Sequence, residues 1–178
     1  MIIDMRKCLI VVDYQNDFVS GTLGFPGAVE LESNIAAKIE NYRKNGDEVI
    51  FTFDTHGENY MDTLEGRLLP VAHCLSGTEG HNLYGKIAGM VFDSDKQFIK
   101  HTFGSDALFH YLSKNVFESI ELVGLVSNIC VLANAVLAKT AQHETPVMVD
   151  ARCTAGADAR LHQAALEVMS GLHIEVLR

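Results

Sequence analysis

No stretch of this chain gathers lysine and arginine into a patch. Its 178 residues carry 14 Lys and Arg against 23 Asp and Glu, a formal net charge of −9. Phosphate recognition needs a basic footprint, so no nucleic-acid partner is expected. A long apolar run is missing too. The longest uncharged stretch, 122–138, is short and carries Ser127, Asn128 and Asn134, so it makes a poor membrane span. Cys8, Cys74, Cys130 and Cys153 form no CxxC pair and no regular spacing. With 48% hydrophobic residues the chain can build a core without a disulfide framework, and reduced thiols in a cytoplasm are expected. The start, MIIDMRKCLIVV, lacks a signal-peptide layout: Asp4 comes early and the apolar run leads into Asp13. Internal repeats and low-complexity segments are absent, and one domain over 1–178 is expected.

What is present is alternation. Apolar runs at 7–12, 48–53, 90–93, 97–101, 119–126, 146–149 and 173–177 read as strands. Segments at about 30–44, 105–114, 129–142 and 158–170 read as helices, with Asn45-Gly46 as a helix stop. Strands alternating with helices imply βαβ units, hence a three-layer α/β/α fold around a mainly parallel, Rossmann-like sheet. The stretch 57–89 is long, glycine-rich and aperiodic, and such loops inside compact domains are usually functional. In sheets of this kind ligands bind beyond the carboxyl ends of the strands. Asp13, Asp54, His56, Lys100 and Cys130 all fall at such ends.

Cys130 follows an apolar strand and opens a helix. The unpaired N–H groups and the dipole there favour a thiolate, which predicts a lowered thiol pKa and a nucleophile. The plain alternative is a small buried hydrophobe. Cys8, Cys74 and Cys153 lack that placement and read as packing, Cys153 in a late loop. Asp13 ends a wholly apolar strand. It is either a cap or a general base whose pKa is raised by its surroundings. Lys100 is either solvated or, if near the other two, a partner for the carboxylate. Asp54 and His56, one residue apart at a strand end, project to the same side. His73 offers a third ligand, and Glu65 a candidate fourth, with Glu58 and His81 as competitors. One carboxylate and two imidazoles suit zinc, iron(II) or manganese. Alternatively His56 and His73 are surface loop residues.

Taken together, VVDYQNDF with GTLGFPGA, FTFDTH, PVAHCLSGTEG, FIKHTFGSDAL and VGLVSNICVLANAVLA, in that order, resemble the isochorismatase-like cysteine hydrolases. Among them the chain looks most like nicotinamidases. The resemblance implies an Asp13, Lys100, Cys130 triad that hydrolyses a small carboxamide, nicotinamide above all, through a thioester. It implies a divalent metal, zinc first, on Asp54, His56 and His73, with Glu65 approaching it. It also implies a cis peptide at Val126-Ser127, an oxyanion hole around Val126, Ser127 and Cys130, and Phe18 as a pocket wall. Leu69 stands where nicotinamidases often carry an aromatic pocket residue. Another amide or ureide of the same superfamily is therefore the alternative substrate. The expected partners are this small amide and further copies of the chain in a homo-oligomer.

Overall fold

The computed structural model describes residues 6–178. Residues 1–5, part of the leader reading and of the single-domain expectation, lie outside the described residues. The strands are β1 (Cys8–Val12), β2 (Glu48–Asp54), β3 (Lys96–Lys100), β4 (Ile120–Leu125), β5 (Val147–Ala155) and β6 (Glu175–Leu177). They form one sheet in the order β3-β2-β1-β4-β5-β6, and every pairing is parallel. The helices are α1 (Asn16–Val19), α2 (Pro26–Val29), α3 (Glu32–Lys44), α4 (Leu64–Leu68), α5 (Gly85–Ala88), α6 (Asp106–Leu112), α7 (Leu132–Ala141) and α8 (Ala159–Gly171).

The apolar strands explain the layering. β1 is buried throughout, as a strand covered on both faces must be. Cys8, Ile10 and Val12 face a core shared with Leu108 and Leu112 of α6, Ala135 and Ala138 of α7 and Met169 of α8. Leu9 and Val11 face the opposite core, with Ile35 and Ile39 of α3 and Ile87 of α5. From β1 the chain builds outward to β2 and β3, then returns to add β4, β5 and β6 on the other side. The order reverses between β1 and β4, and their carboxyl ends open a crevice there. Gly124 lets these two strands meet. Its φ is +111°, and a Cβ would lie 2.0 Å from the Val12 carbonyl oxygen.

Several elements differ from the sequence reading. Residues 90–93 form a turn, not a strand. Asp95 accepts a hydrogen bond from the Phe92 N–H at 2.8 Å, and the Arg43 guanidinium covers the Phe92 ring at 3.8 Å. With the Asp95 N–H donating to the Phe92 carbonyl at 2.9 Å, the two Phe92–Asp95 bonds close the backbone into a turn. β5 runs on to Ala155, so Cys153 lies in a strand rather than a loop. The charges of Asp150 and Arg152 hid this. They pair with each other at 2.8 Å, and the register slips between Leu122 and Gly124 of β4. Residues 57–89 hold short helical turns, including α4 and α5.

Candidate active site and metal centre

Asp13, the residue after β1, has a left-handed backbone with φ 45°, which is costly for a residue with a Cβ. Its buried carboxylate accepts a 2.7 Å hydrogen bond from the Thr52 hydroxyl through Oδ1. Oδ2 lies 2.6 Å from Lys100 Nζ. Apart from this ion pair, no donor is aimed at Oδ2. Lys100, at the end of β3, is 2% exposed. It also lies 3.2 Å from Asp54 Oδ1 and 3.5 Å from Cys130 Sγ, and donates to the Thr102 carbonyl at 3.0 Å. The structure thus brings the carboxylate, the ammonium and the thiol together.

Burial raises the Asp13 pKa, the Lys100 charge opposes this, and the net shift is upward. For Lys100 burial works against the charge, yet the surrounding negative groups outweigh it and hold the ammonium above the ordinary lysine range. The expectation of a lowered Cys130 pKa is overturned. Burial pushes the thiol well up, and the Asp13 carboxylate adds to that while Lys100 only partly opposes. The helix-start argument assumed an accessible thiol, but Cys130 is 5% exposed beside a carboxylate. Desolvation wins over the dipole.

Cys130 sits in a π-helical turn, Ser127–Val131, that continues into α7. The Val126 carbonyl accepts from the N–H groups of Ile129 and Val131 at 3.1 and 3.2 Å. The non-proline cis peptide lies at Leu125-Val126, one bond earlier than the Val126-Ser127 position expected. β4 ends at Leu125, so the cis bond falls at the strand end rather than inside the turn.

Asp54 links the thiol site to a second group. Its Oδ2 lies 3.0 Å from His56 Nε2 and 3.4 Å from His73 Nε2. Donor atoms of Asp54, His56 and His73 lie within 4.8 Å of one another. Both histidines are buried, not surface residues. His73 donates its Nδ1–H to the Val71 carbonyl at 2.8 Å, leaving Nε2 free to ligate. The donor set and spacing fit a divalent metal ion. Burial would raise the Asp54 pKa, but hydrogen bonds from the two imidazoles outweigh it and hold the carboxyl below the usual range. Glu65 Oε1 stands 3.8 Å from His56 Nε2 and 3.7 Å from His73 Nε2. Glu58 is outside the cluster. His81 pairs with the Thr55 hydroxyl at 2.8 Å instead.

A cavity of about 270 Å³ opens over Cys130, Asp54 and His73, and Phe18, Leu69 and Phe103 line it. The Phe18 ring lies 5.5 Å from that of His73.

Three polar residues that the sequence reading passed over hold this arrangement. Gln15, wholly buried, accepts from the Asp54 N–H at 2.8 Å and donates to the Asp54 and His81 carbonyls at 2.9 and 2.8 Å. Asp17 accepts from the Cys74 N–H at 2.8 Å, tying the His73 segment to α1. Asn134 accepts from the Ser105 N–H at 3.0 Å and donates to the Phe103 and Cys130 carbonyls at 3.0 and 2.8 Å. A polar residue inside an apolar helix, as Asn134 is, was the one signal available.

A buried acid, lysine and cysteine thus lie together at a strand-order reversal on an α/β/α scaffold, beside a metal-competent His pair. The chain belongs to the isochorismatase family: the Isochorismatase domain model matches residues 7–178. An uncharacterized isochorismatase family protein of Bacillus subtilis is 34% identical over 145 residues, covering 74% of this chain and 78% of that one. The crystal structure of a nicotinamidase/pyrazinamidase from Bacillus subtilis superposes with a TM-score of 0.87 at 28% identity, covering 98% of this chain and 100% of that one. A pyrazinamidase of Pyrococcus horikoshii in complex with zinc superposes at 0.84 and 23% identity, covering 97% and 99%. This chain is a nicotinamidase-like amidohydrolase.

Proposed function

We propose that the protein hydrolyses nicotinamide to nicotinate and ammonia through a thioester on Cys130. The observation that carries this reading is the contact of Asp13, Lys100 and Cys130 beneath an apolar cavity flanked by Asp54, His56 and His73. With the thiol pKa raised, the resting site holds a neutral thiol beside the Asp13–Lys100 ion pair. Asp13 takes the thiol proton as sulfur attacks the amide carbon. Backbone N–H groups of the Ser127–Val131 turn receive the charge on the carbonyl oxygen. The C–N bond breaks as Asp13 returns the proton to the departing ammonia. Water, deprotonated by Asp13, then cleaves the thioester to the acid and restores the thiol. Lys100 stays charged and steadies each anionic state.

Phe18 and Leu69 pack against the ring and orient it. Asp54, His56 and His73, with Glu65 as a candidate fourth ligand, would hold a divalent ion, zinc in preference to iron(II) or manganese, and it would supply Lewis acidity at the cavity wall.

Ammonia release from nicotinamide, measured beside metal content, tests the reading. The wild-type protein should release ammonia and carry a divalent ion. Cys130→Ala should lose at least about 10³-fold in turnover while keeping its unfolding midpoint. Unreduced turnover in that variant contradicts the covalent route. Leu69, aliphatic at the cavity wall, favours a second reading in which another small amide is preferred. Faster release from a different member of an amide panel would select it.

A further inference from the structure

The turn that carries Cys130 is held from outside at few points. Among the described residues, the side chains beyond the turn that hydrogen-bond to residues 127–130 are Lys100 to the thiol, Asn134 to the Cys130 carbonyl and His162 to Ser127. Ser127 is wholly buried, and its hydroxyl lies 2.8 Å from His162 Nδ1. His162 comes from α8, a helix that sequence patterning connects with nothing catalytic. The His162 backbone N–H donates to the Asp158 carbonyl at 2.9 Å, and the Asp158 side chain caps the helix by accepting from the Arg160 and Leu161 N–H groups at 2.8 and 3.1 Å, which sets the start of α8. The chain entering α8 fits closely against the same turn. A Cβ on Gly156 would lie 2.8 Å from Asn128 Oδ1 and 3.2 Å from Ser127 Oγ.

We propose that His162 is a positioning residue for acyl transfer, acting through the Ser127 hydroxyl to fix the turn whose backbone N–H groups face the oxyanion. This rests on the hydrolytic reading above. His162 itself touches neither the thiol nor the metal ligands. Burial keeps its pKa low, so a neutral imidazole faces the hydroxyl at neutral pH. Either tautomer satisfies the pair, because the hydroxyl can donate or accept. Ser127 sits three residues before the nucleophile, so a lost bond at its side chain shifts the donors while leaving Phe18 and Leu69 of the cavity wall and the metal ligands in place. Misplacement of that kind affects the transition state more than substrate binding.

The test compares His162→Ala, His162→Asn, Ser127→Ala and the double variant H162A/S127A. Two readouts are taken: steady-state hydrolysis of nicotinamide, and amide hydrogen exchange of the peptide containing the Cys130 turn. His162→Ala should lower kcat by about 10- to 100-fold with KM changed by less than about twofold. Exchange should speed up in the turn and not across α8. His162→Asn, which can place an amide where Nδ1 stood, should recover most of both. Ser127→Ala should match His162→Ala, with no further loss in the double variant. Unchanged kcat and exchange in His162→Ala overturn the proposal. So does a loss that His162→Asn does not recover, or one that adds to the Ser127→Ala loss. If the wild-type protein does not hydrolyse nicotinamide, the substrate reading fails separately, and the exchange readout still decides the tie between His162 and the turn.

Discussion

Two lysines sit between paired buried carboxylates in this molecule, Lys38 half-buried and Lys100 fully so, and Lys100 has a thiol beside it. Lys38 of α3 lies 2.6 Å from Glu121 Oε1 and 2.9 Å from Asp150 Oδ2. Lys100 lies 2.6 Å from Asp13 and 3.2 Å from Asp54. The Lys38 cluster is complete. Tyr42 donates to the second Glu121 oxygen at 2.7 Å, and Arg152 brings its guanidinium and its backbone N–H to Asp150. The Lys100 cluster is left open. One Asp13 oxygen is met by Lys100 alone, a raised-pKa thiol stands next to it, and the cavity lies above. A satisfied buried ion pair fixes structure, whereas a partly satisfied one beside a nucleophile retains proton-accepting capacity.

Matched substitutions in the two clusters sharpen that contrast. Asp13→Asn should cut turnover by about 10³-fold, as expected for loss of a general acid–base. Glu121→Gln should leave turnover within about twofold, as ammonia-release kinetics would read directly. A comparable loss from Glu121→Gln would erase the distinction between the clusters. Lys38→Met should lower unfolding free energy in a denaturant titration by about 1–3 kcal/mol, because it leaves the buried Glu121 carboxylate with the Tyr42 hydroxyl as its remaining donor. Its kcat should stay near wild type. Lys100→Met should lose activity as well.

The smallest effect is one of pH. Burial would raise the Asp150 pKa, but hydrogen bonds from Arg152 and Lys38 outweigh it and hold the carboxyl below the usual range. A depressed folded pKa contributes stability above the unfolded value of about 3.9 and loses it as pH falls toward the folded value. The denaturation midpoint should therefore drop below about pH 4, with a shallower drop in Asp150→Asn. Asp13 is shifted the other way, so its contribution has the opposite sign: it is present at low pH and lost as pH rises through the folded value.

Much of the site was legible in the sequence because its residues end apolar strands. Asp13, Asp54, Lys100 and Cys130 each follow or close a strand, and parallel strands deliver their carboxyl ends to one edge. His73 was legible only as a candidate. It reaches the site because the loop returns to β2, where the His56 N–H donates to the Cys74 carbonyl at 3.0 Å. Nothing in local patterning encodes that return. Gln15 and His162 were illegible for the same reason: each acts on a backbone or side chain far along the chain. The lowered thiol pKa failed on a different ground. Helix position is readable from sequence, but the degree of burial that outweighs it is not.

The central claim is a covalent intermediate on Cys130. Rapid acid quench of the protein turning over nicotinamide, followed by mass spectrometry of the Cys130 peptide, tests it most directly. A nicotinoyl group on Cys130, appearing within the first turnover and absent from Cys130→Ala, is the expected result. Steady ammonia release with no acylated Cys130 at any quench time would contradict it.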